Sequence, residues 1–338
     1  MPKVMLREGR KMSVVMKKHV AFIIPYYGNS PAFLSLFLRS CETNPFLDFY
    51  FVSDSPPKVT LPSNCHFYSM TVQELEKRWL KVTGQHVPVA RNPHKICDFR
   101  PGFGLLFPEI VKDYQFWGYC DVDVVWGDLS AALSPEALKN VDVSSPDPHR
   151  LAGHCTVFRN SEKMNHLFLE APELKKVPTA SHITFFDEGG MSSFLFYRND
   201  VLKKFAPEKP QDGKWNCGLT LCYGRETLPD LQGGLTARWD NGKLFVTTRK
   251  HGTIEMAYLH FMALKQFWHW FRFDPSTRYD QFYFNFAGFH SGLPKSRAIS
   301  SAPLVDALVY QVDFAKKNVG RHMGKVIDTK RVRKFLRK

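Results

Sequence analysis

Residues 116–129, FWGYCDVDVVWGDL, constrain the fold of this chain more than any other stretch. The aromatic and apolar run that opens the stretch predicts a buried β-strand. It ends on Asp121 and Asp123, two carboxylates one residue apart, and burying unpaired carboxylates is costly. We therefore expect both side chains to meet a cation or water where the strand ends.

A divalent cation is one interpretation of this carboxylate pair. In open α/β sheets, the ligand-binding crevice lies at the carboxyl ends of the strands. Asp121 and Asp123 are therefore placed to hold a hard ion, which prefers a few carboxylates together with phosphate oxygens of a substrate. The alternative is a polar turn between two strands, because the pattern D-x-D is short and often arises by chance.

Hydrophobic patterns near the N-terminus predict an α/β protein. Residues 19–25 read as a buried strand, residues 32–41 have helical periodicity, and residues 49–52 read as a second strand. Strands joined through a helix in this way run parallel. The predicted fold class is therefore α/β.

The loop after the first strand, YYGNSP, bears on nucleotide binding. It contains neither the G-x-G-x-x-G pattern of dinucleotide folds nor the P-loop pattern. A nucleotide base would instead stack on Tyr26 or Tyr27, with Asp54 near the ribose or the base. For Asp54, the alternative is an ordinary turn residue.

Charged residues precede the D-x-D strand in the segment KICDFRP at 95–101. Lys95 and Arg100 are cations that can meet phosphates, and Asp98 can pair with either of them. The alternative is a surface ion pair with no part in binding.

Two further polar groups follow later in the chain. Asp187 and Glu188 are adjacent and precede a helix-like run at 191–197. They serve either the helix dipole or acid–base and sugar-hydroxyl chemistry. His260 closes an apolar run, with Lys265 five residues on, and both face the metal crevice if a strand ends at His260 and a turn follows. The alternative for His260 is a core histidine.

Three local signals predict where elements begin and turn. Thr71 and Glu74 match a capping box at the start of a helix. Ser134 is expected to cap a short helix. The residues DNGK at 240–243 predict the turn of a β-hairpin within residues 230–250.

The net charge of +14 is concentrated at the ends of the chain. Residues 316–338 contain ten Lys or Arg and one Asp, residues 1–18 contain six Lys or Arg and one Glu, and residues 19–315 are neutral overall. This distribution argues against a nucleic-acid groove across the body, so we expect no nucleic-acid partner. The basic tail suits an anionic membrane surface, and a solvated tail that aids solubility is the alternative.

Composition indicates a globular protein without a membrane span. Hydrophobic residues make up 44% of the chain, yet no apolar run approaches the roughly 18 residues of a spanning helix. No signal peptide is evident, and the seven scattered cysteines include no C-x-x-C pair, which disfavours zinc and fits a reducing compartment. We expect a cytoplasmic protein, either soluble or peripheral at the inner face of the membrane.

The order of these segments resembles that of the nucleotide-sugar-dependent glycosyltransferases of the GT-A fold. It is similar to the sugar transferases of capsule and surface-polysaccharide clusters, in which K-x-x-D-x-x-P precedes F-W-G-x-x-D-x-D, matched here at 95–101 and 116–123. The resemblance implies a mixed, mainly parallel sheet flanked by helices, in a single large domain with basic terminal tails. We accordingly predict four parts: a basic N-terminal arm at 1–18, a GT-A catalytic domain at 19–270, an aromatic-rich C-terminal segment at 271–315 and a basic tail at 316–338.

The resemblance also implies a role for each matching residue. The implied metal ligands are Asp121, Asp123 and His260, of which Asp123 would contact Mn²⁺ or Mg²⁺ more directly than Asp121. The donor would be a nucleotide sugar, in the first instance a UDP-sugar, and the acceptor a hydroxyl of a glycan or lipid-linked glycan. The implied donor-binding residues are Pro25, Tyr26, Tyr27, Asp54, Lys95, Asp98, Asp121 and Lys265.

The stereochemistry follows from the later motifs. Retaining members carry H-x-x-G-x-x-K-P-W, and in this chain Trp268 is in register with His260 while Lys265 comes one position early and the glycine and proline are absent. Asp187 and Glu188 would be the catalytic pair. We predict a retaining transferase. The alternatives are an inverting enzyme with Asp187 or Glu188 as the base, and a non-catalytic glycan-binding protein.

Overall fold

The computed structural model describes residues 18–179, 182–205, 214–220, 236–248, 252–261, 277–285 and 288–292. The predictions for Lys265, for the basic arm up to residue 17, for the basic tail at 316–338 and for much of the aromatic-rich segment lie outside these residues. Among the described helices, none has both the length and the apolar character that crossing a bilayer requires.

The strands of the described residues are β1 (Lys18–Pro25), β2 (Leu47–Ser53), β3 (Cys65–Ser69), β4 (Tyr114–Cys120), β5 (Val124–Trp126), β6 (Val143–Ser145), β7 (Cys155–Arg159), β8 (Lys203–Phe205), β9 (Lys214–Thr220), β10 (Thr236–Asp240), β11 (Lys243–Thr248), β12 (Gly252–His260), β13 (Gln281–Asn285) and β14 (Gly288–His290). The α-helices are α1 (Leu34–Glu42), α2 (Val72–Thr83), α3 (Phe103–Leu106), α4 (Pro108–Val111), α5 (Ser130–Leu133), α6 (Glu162–His166) and α7 (Ser192–Phe196). Short 3-10 helices cover Val89–Arg91, Pro93–Gly102, Leu167–Glu170 and Pro172–Lys176, and a π-helical turn covers Phe186–Met191.

The first sheet has the strand order β3-β2-β1-β4-β7-β6-β8. Its pairs are parallel except at β4–β7 and β6–β7, which are antiparallel. The predicted α/β class, with a mixed and mainly parallel sheet flanked by helices, is confirmed. The carboxyl ends of β1, β2 and β4 lie at one edge of this sheet, because these strands are parallel.

The continuous apolar run of β1 follows from burial on both faces of the sheet. Side chains alternate along a strand, so Val20, Phe22 and Ile24 enter one core cluster while Ala21 and Ile23 enter the other. Both clusters exclude solvent almost completely. A strand with one solvated face would have alternated polar and apolar residues instead.

A helix covers each face of this sheet. On the first face, the Phe37 ring of α1 meets the rings of Phe49 and Phe51 edge-on, with centroids 5.9 and 6.0 Å away. On the second face, the Trp79 indole of α2 stacks on Phe99 at 4.0 Å. Phe99 belongs to the 3-10 helix Pro93–Gly102, and Trp79 shares the second core cluster with Ala21 and Ile23 of β1, so α1 and α2 pack on opposite faces of the sheet.

A second sheet, which the sequence patterns did not predict, has the order β14-β13-β10-β11-β12-β5, with β9 beside β12. Its pairs are antiparallel except for β9–β12. The chain passes from the first sheet to the second between β4 and β5. Residues 121–123, the D-x-D motif, form this passage.

The three local signals in the sequence, for a capping box, a hairpin turn and a cap at Ser134, had different outcomes in the structure. The capping box is confirmed, since Thr71 accepts a bond from the Glu74 amide and the Glu74 side chain bonds back to the Thr71 amide. The hairpin turn is confirmed between β10 and β11, with positive φ at Asn241 and Gly242. At Ser134 the cap is present but the helix is not: the Ser134 hydroxyl accepts from the Ala137 amide at 3.2 Å, and residues 135–140 form turns. The preceding helix α5 ends at Leu133, and Ser134 has the extended backbone favoured before a proline.

Candidate metal centre and the acidic pair beside it

The pairing of β12 with β5 brings His260 to the D-x-D motif. His260 is the last residue of β12 and lies opposite Val124, the first residue of β5. The ladder continues one step further, because the Phe261 amide donates to the carbonyl of Asp123 at 3.0 Å. The backbone of the two strands thus sets the imidazole beside the carboxylates.

Three side chains converge here: Asp121, Asp123 and His260 offer ligand atoms that all lie within 4.8 Å of one another. His260 Nε2 is 3.5 Å from Asp123 Oδ1 and 4.0 Å from Asp121 Oδ2. Ligands about 2.1 Å from an octahedral ion are roughly 3 Å apart when adjacent and about 4.2 Å apart when opposite. These spacings fit one divalent ion among the three groups.

The donor set and its burial also suit a cation. Asp123 and His260 are each only 3% exposed, whereas about a third of the Asp121 side chain is exposed. A carboxylate as buried as Asp123 is stable only where donors or a cation match its charge. Carboxylates favour Mg²⁺ and Mn²⁺, and the additional imidazole favours the transition metal, Mn²⁺.

Arg100, which the sequence offered as a contact to phosphates, bridges the two acidic motifs. Its Nη2 donates to Asp121 Oδ1, and its Nη1 donates to Asp187 Oδ2 at 3.1 Å. The guanidinium also lies over the Tyr119 ring, 5.5 Å from its centroid. Its place in the KICDFRP segment was the available signal, but spacing in the sequence could not indicate which carboxylates it meets.

The adjacent acids Asp187 and Glu188 have different environments. Burial raises the pKa of Asp187 from 3.8 to about 6, although the Arg100 guanidinium opposes the shift. Glu188 accepts from the Gly153 amide at 2.9 Å and from Arg150 Nη1 at 3.3 Å, and 27% of its side chain is exposed. Asp187 is thus held inward by Arg100, and Glu188 is accessible.

Gly153 has no side chain, and Arg100 and Glu188 lie in the space that a side chain there would occupy. A Cβ atom at this position would lie 2.5 Å from Arg100 Nη1 and 2.9 Å from Glu188 Oε1. We expect Gly153→Ala to displace Arg100 from its carboxylates and to lower the free energy of unfolding by about 1–3 kcal/mol, as overpacking does. Urea unfolding measures the change. Gly189→Ala is the matched control because a Cβ there meets nothing within 4 Å, and equal stability of both variants would contradict the prediction.

Lys95 and Asp98 lie beneath the loop that leads to the acidic pair. Lys95 is 2% exposed, with its Nζ 3.4 Å from Asp98 Oδ2 and 3.0 Å from the carbonyl of His182. Asp98 is fully buried and accepts from the amides of Thr184 and Phe186. The pair therefore holds this loop in place. Direct contact of Lys95 or Asp98 with a donor stays a prediction.

A cavity of about 330 Å³ lies at the carboxyl ends of β1 and β2. Tyr26 and Ser53 line it, and so does Val122, the middle residue of the D-x-D motif. The cavity therefore adjoins the Asp121–Asp123 segment. Its position matches the crevice in which open α/β sheets bind ligands.

Of the other residues predicted to contact a nucleotide, Pro25 and Asp54 are next in the chain to residues that line this cavity, whereas Tyr27 lies on the opposite face of the sheet. Pro25 ends β1 and precedes Tyr26 in the chain. Asp54 is exposed and accepts a bond from Ser55, which lines the cavity. Tyr27 instead packs against the core cluster on the opposite face of the sheet, and burial raises the pKa of its hydroxyl. Only Tyr26 of the two tyrosines thus lines the cavity.

Fold and site together define an α/β protein with a candidate divalent-metal centre beside a cavity at the strand ends. The chain belongs to a family of unknown function (DUF6625), which matches residues 22–291. No curated protein matches the sequence significantly. Among solved structures, it is similar to the glycosyltransferase GlyE of Streptococcus pneumoniae TIGR4, at 11% identity and a TM-score of 0.30, with 56% of this chain and 45% of that chain covered. The match thus spans less than half of that structure's length.

Proposed function

We propose that this protein is a metal-dependent glycosyltransferase of the GT-A fold that transfers a sugar from a nucleoside-diphosphate sugar, in the first instance a UDP-sugar, to a hydroxyl of a glycan or lipid-linked glycan. One observation carries the proposal: Asp121, Asp123 and His260 converge beside a cavity at the carboxyl ends of parallel strands. The same edge thus offers a site for a divalent ion and an adjoining space for a nucleotide.

The chemistry of the donor explains why such a site is needed. A nucleoside diphosphate leaves with negative charge, and a divalent ion held by Asp121, Asp123 and His260 would stabilise that charge. Tyr26 lines the cavity and offers an aromatic face for the base, while Asp54 lies near it for the ribose. Lys265 is proposed as a further contact to the diphosphate.

The donor sugar would lie between the metal centre and the acidic pair. Arg100 joins the two, because its guanidinium is paired with Asp121 and with Asp187. A carboxylate that is 1% exposed and paired with arginine is poorly placed to deprotonate an incoming acceptor. This supports a retaining enzyme. In the inverting alternative, Glu188 is the better base because it is more exposed.

A screen of nucleotide sugars for metal-dependent thermal stabilisation tests the proposal. A ligand that binds only the native state raises stability by about 2.7 kcal/mol at a hundredfold excess over its Kd. We expect a UDP-sugar to raise the melting temperature with Mn²⁺ present and not with EDTA. Stabilisation by a glycan alone, without metal or nucleotide, would instead support a non-catalytic glycan-binding protein.

Asp187→Asn is expected to lower turnover by roughly a hundredfold or more with little change in nucleotide affinity, because it removes the carboxylate that holds Arg100 beside the donor sugar. Glu188→Gln is the companion variant. Both are measured as UDP release and as UDP affinity with Mn²⁺. Full activity in both variants would leave the pair with a structural role only.

Asp187→Asn should also change how the stability of the metal-free protein depends on pH. Because the folded pKa of Asp187, about 6, exceeds its ordinary 3.8, the folded state binds the proton more tightly. Protonated Asp187 therefore stabilises the folded state below about pH 4. This contribution to the free energy of unfolding is lost as the pH rises through about 6. We expect the stability of Asp187→Asn relative to wild type to increase from pH 4 to pH 7, measured by urea unfolding with EDTA. A constant difference would contradict the raised pKa.

We also propose that the basic residues at 316–338 hold the protein at an anionic membrane surface, where a lipid-linked acceptor would be found. Each Lys or Arg near such a surface contributes about 1 kcal/mol, and salt weakens the contribution. The full chain should sediment with anionic vesicles at low salt, whereas a chain ending at residue 315 should not. Equal binding of both would place the contact elsewhere.

A further inference from the structure

His154 contacts two members of the candidate metal centre, Asp121 and His260. It lies in the turn before β7, and its ring stacks on the imidazole of His260 with centroids 4.2 Å apart and planes at 23°. Its carbonyl oxygen accepts a bond from the Asp121 amide at 3.4 Å. One residue thus touches the D-x-D segment through its backbone and the imidazole ligand through its side chain.

The His154 ring is itself held in place. Its Nε2 is hydrogen-bonded to the hydroxyl of Tyr258 at 2.6 Å. Tyr258 and His260 are two residues apart on β12 and therefore point to the same face of the strand. The tyrosine hydroxyl consequently fixes His154 flat against the neighbouring imidazole.

A metal-ligating histidine needs its ring orientation fixed by its surroundings, and the groups that do this strongly affect metal affinity. In this protein, a stacked aromatic ring supplies that constraint on one face of His260. Stacking restricts the tilt of the imidazole but leaves the ring nitrogens available to other partners. His154 is not one of the three residues whose ligand atoms converge.

We propose that His154 is a positioning residue of the metal centre, which orients the His260 imidazole by stacking and is held for this purpose by Tyr258. The inference rests on the proposed function, because it assumes that Asp121, Asp123 and His260 bind a divalent ion. It assigns to His154 no bond to the metal and no proton transfer. The flat ring of His154 acts on His260, and its Nε2 serves only to hold that ring against Tyr258.

Two substitutions at one position separate the ring from its nitrogens. His154→Ala removes the stacking surface, whereas His154→Phe keeps a flat ring over His260. We measure Mn²⁺ affinity by following the free-ion EPR signal during titration of the protein without nucleotide. We expect His154→Ala to bind Mn²⁺ about 10–100-fold more weakly, the range found for groups that orient metal ligands. His154→Phe should lose clearly less affinity than His154→Ala, because it keeps the stacked ring and gives up only the bond to Tyr258.

His19→Phe is the matched control for loss of a buried histidine. His19 lies on β1, contacts the Phe116 ring edge-on at 5.7 Å and is hydrogen-bonded to the Leu133 carbonyl at 2.6 Å. It has no part in the converging cluster, so its replacement should alter stability without altering Mn²⁺ affinity. A thermal melt of each variant confirms that the folded protein is titrated.

The outcomes separate this inference from the proposed function. Unchanged Mn²⁺ affinity in His154→Ala overturns the inference. An equal loss of Mn²⁺ affinity in His154→Phe and His154→Ala also overturns it, because the nitrogens of the ring would then be essential. Asp123→Asn serves as the reference for the metal centre itself. If wild type binds Mn²⁺ no more tightly than Asp123→Asn, both the metal centre and the inference fail. If only Asp123→Asn is impaired, the inference alone fails.

Discussion

Asp123→Asn is expected to abolish the Mn²⁺ dependence of nucleotide-sugar binding and to lower the transfer rate by about 10²–10³-fold, the cost of losing one main electrostatic stabiliser. Asp123 is the more buried of the two carboxylates in the cluster, and its Oδ1 is 3.5 Å from His260 Nε2. The amide has the same shape but lacks the charge that a divalent ion requires. Mn²⁺ titration and UDP release from the same preparation measure both effects.

Two further variants show whether the effect belongs to the cluster. His260→Ala should also abolish Mn²⁺ dependence, because it removes the third converging ligand. Asp128→Asn is the matched control: it has the same charge change five residues away, where the carboxylate accepts from the Ser130 amide outside the cluster. Wild-type Mn²⁺ dependence in Asp123→Asn would show that the D-x-D motif is only a turn between the sheets.

Asp98→Asn is expected to lower the free energy of unfolding by about 3–5 kcal/mol, the cost of removing one partner of a buried ion pair. The Lys95 ammonium, 2% exposed, would lose its counter-charge, and the amides of Thr184 and Phe186 would lose a carboxylate acceptor. Because this loop leads into the acidic pair, activity should fall with stability. Urea unfolding at neutral pH measures the change.

Two control variants test whether the expected loss of stability comes from burial of the ion pair rather than from the ion pair as such. Asp200→Asn removes partners of Arg198 and Lys163 at an exposed site, so little change in stability is expected. Replacing both members of the buried pair, by Lys95→Met with Asp98→Asn, should recover part of the loss, since no buried charge then remains. Wild-type stability in Asp98→Asn would mean that water reaches the Lys95 ammonium.

The sequence alone determined those parts of the structure that depend on short-range patterns. The apolar run of β1 predicted a strand buried on both faces, and Thr71 with Glu74 predicted the start of α2. The dipeptide Asn241–Gly242 predicted the β10–β11 turn, because positive φ at both positions suits these residues. Each signal acts between residues a few positions apart. At Ser134 the predicted cap is present, but residues 135–140 form turns rather than the expected helix.

The two carboxylates of the D-x-D motif were also recognisable in the sequence, and the family resemblance implied His260 as a third ligand, but no local pattern showed how these residues come together. An apolar pattern indicates that a strand is buried without indicating which strand it pairs with. The pairing of β12 with β5 is a long-range choice, and it alone brings His260 within 3.5 Å of Asp123. Likewise, only the packed structure places Arg100 between two acidic motifs and His154 against His260. Residue types and local elements could therefore be read from the sequence, whereas long-range packing assembled the site, with the second sheet placing His260 and the Pro93–Gly102 segment placing Arg100.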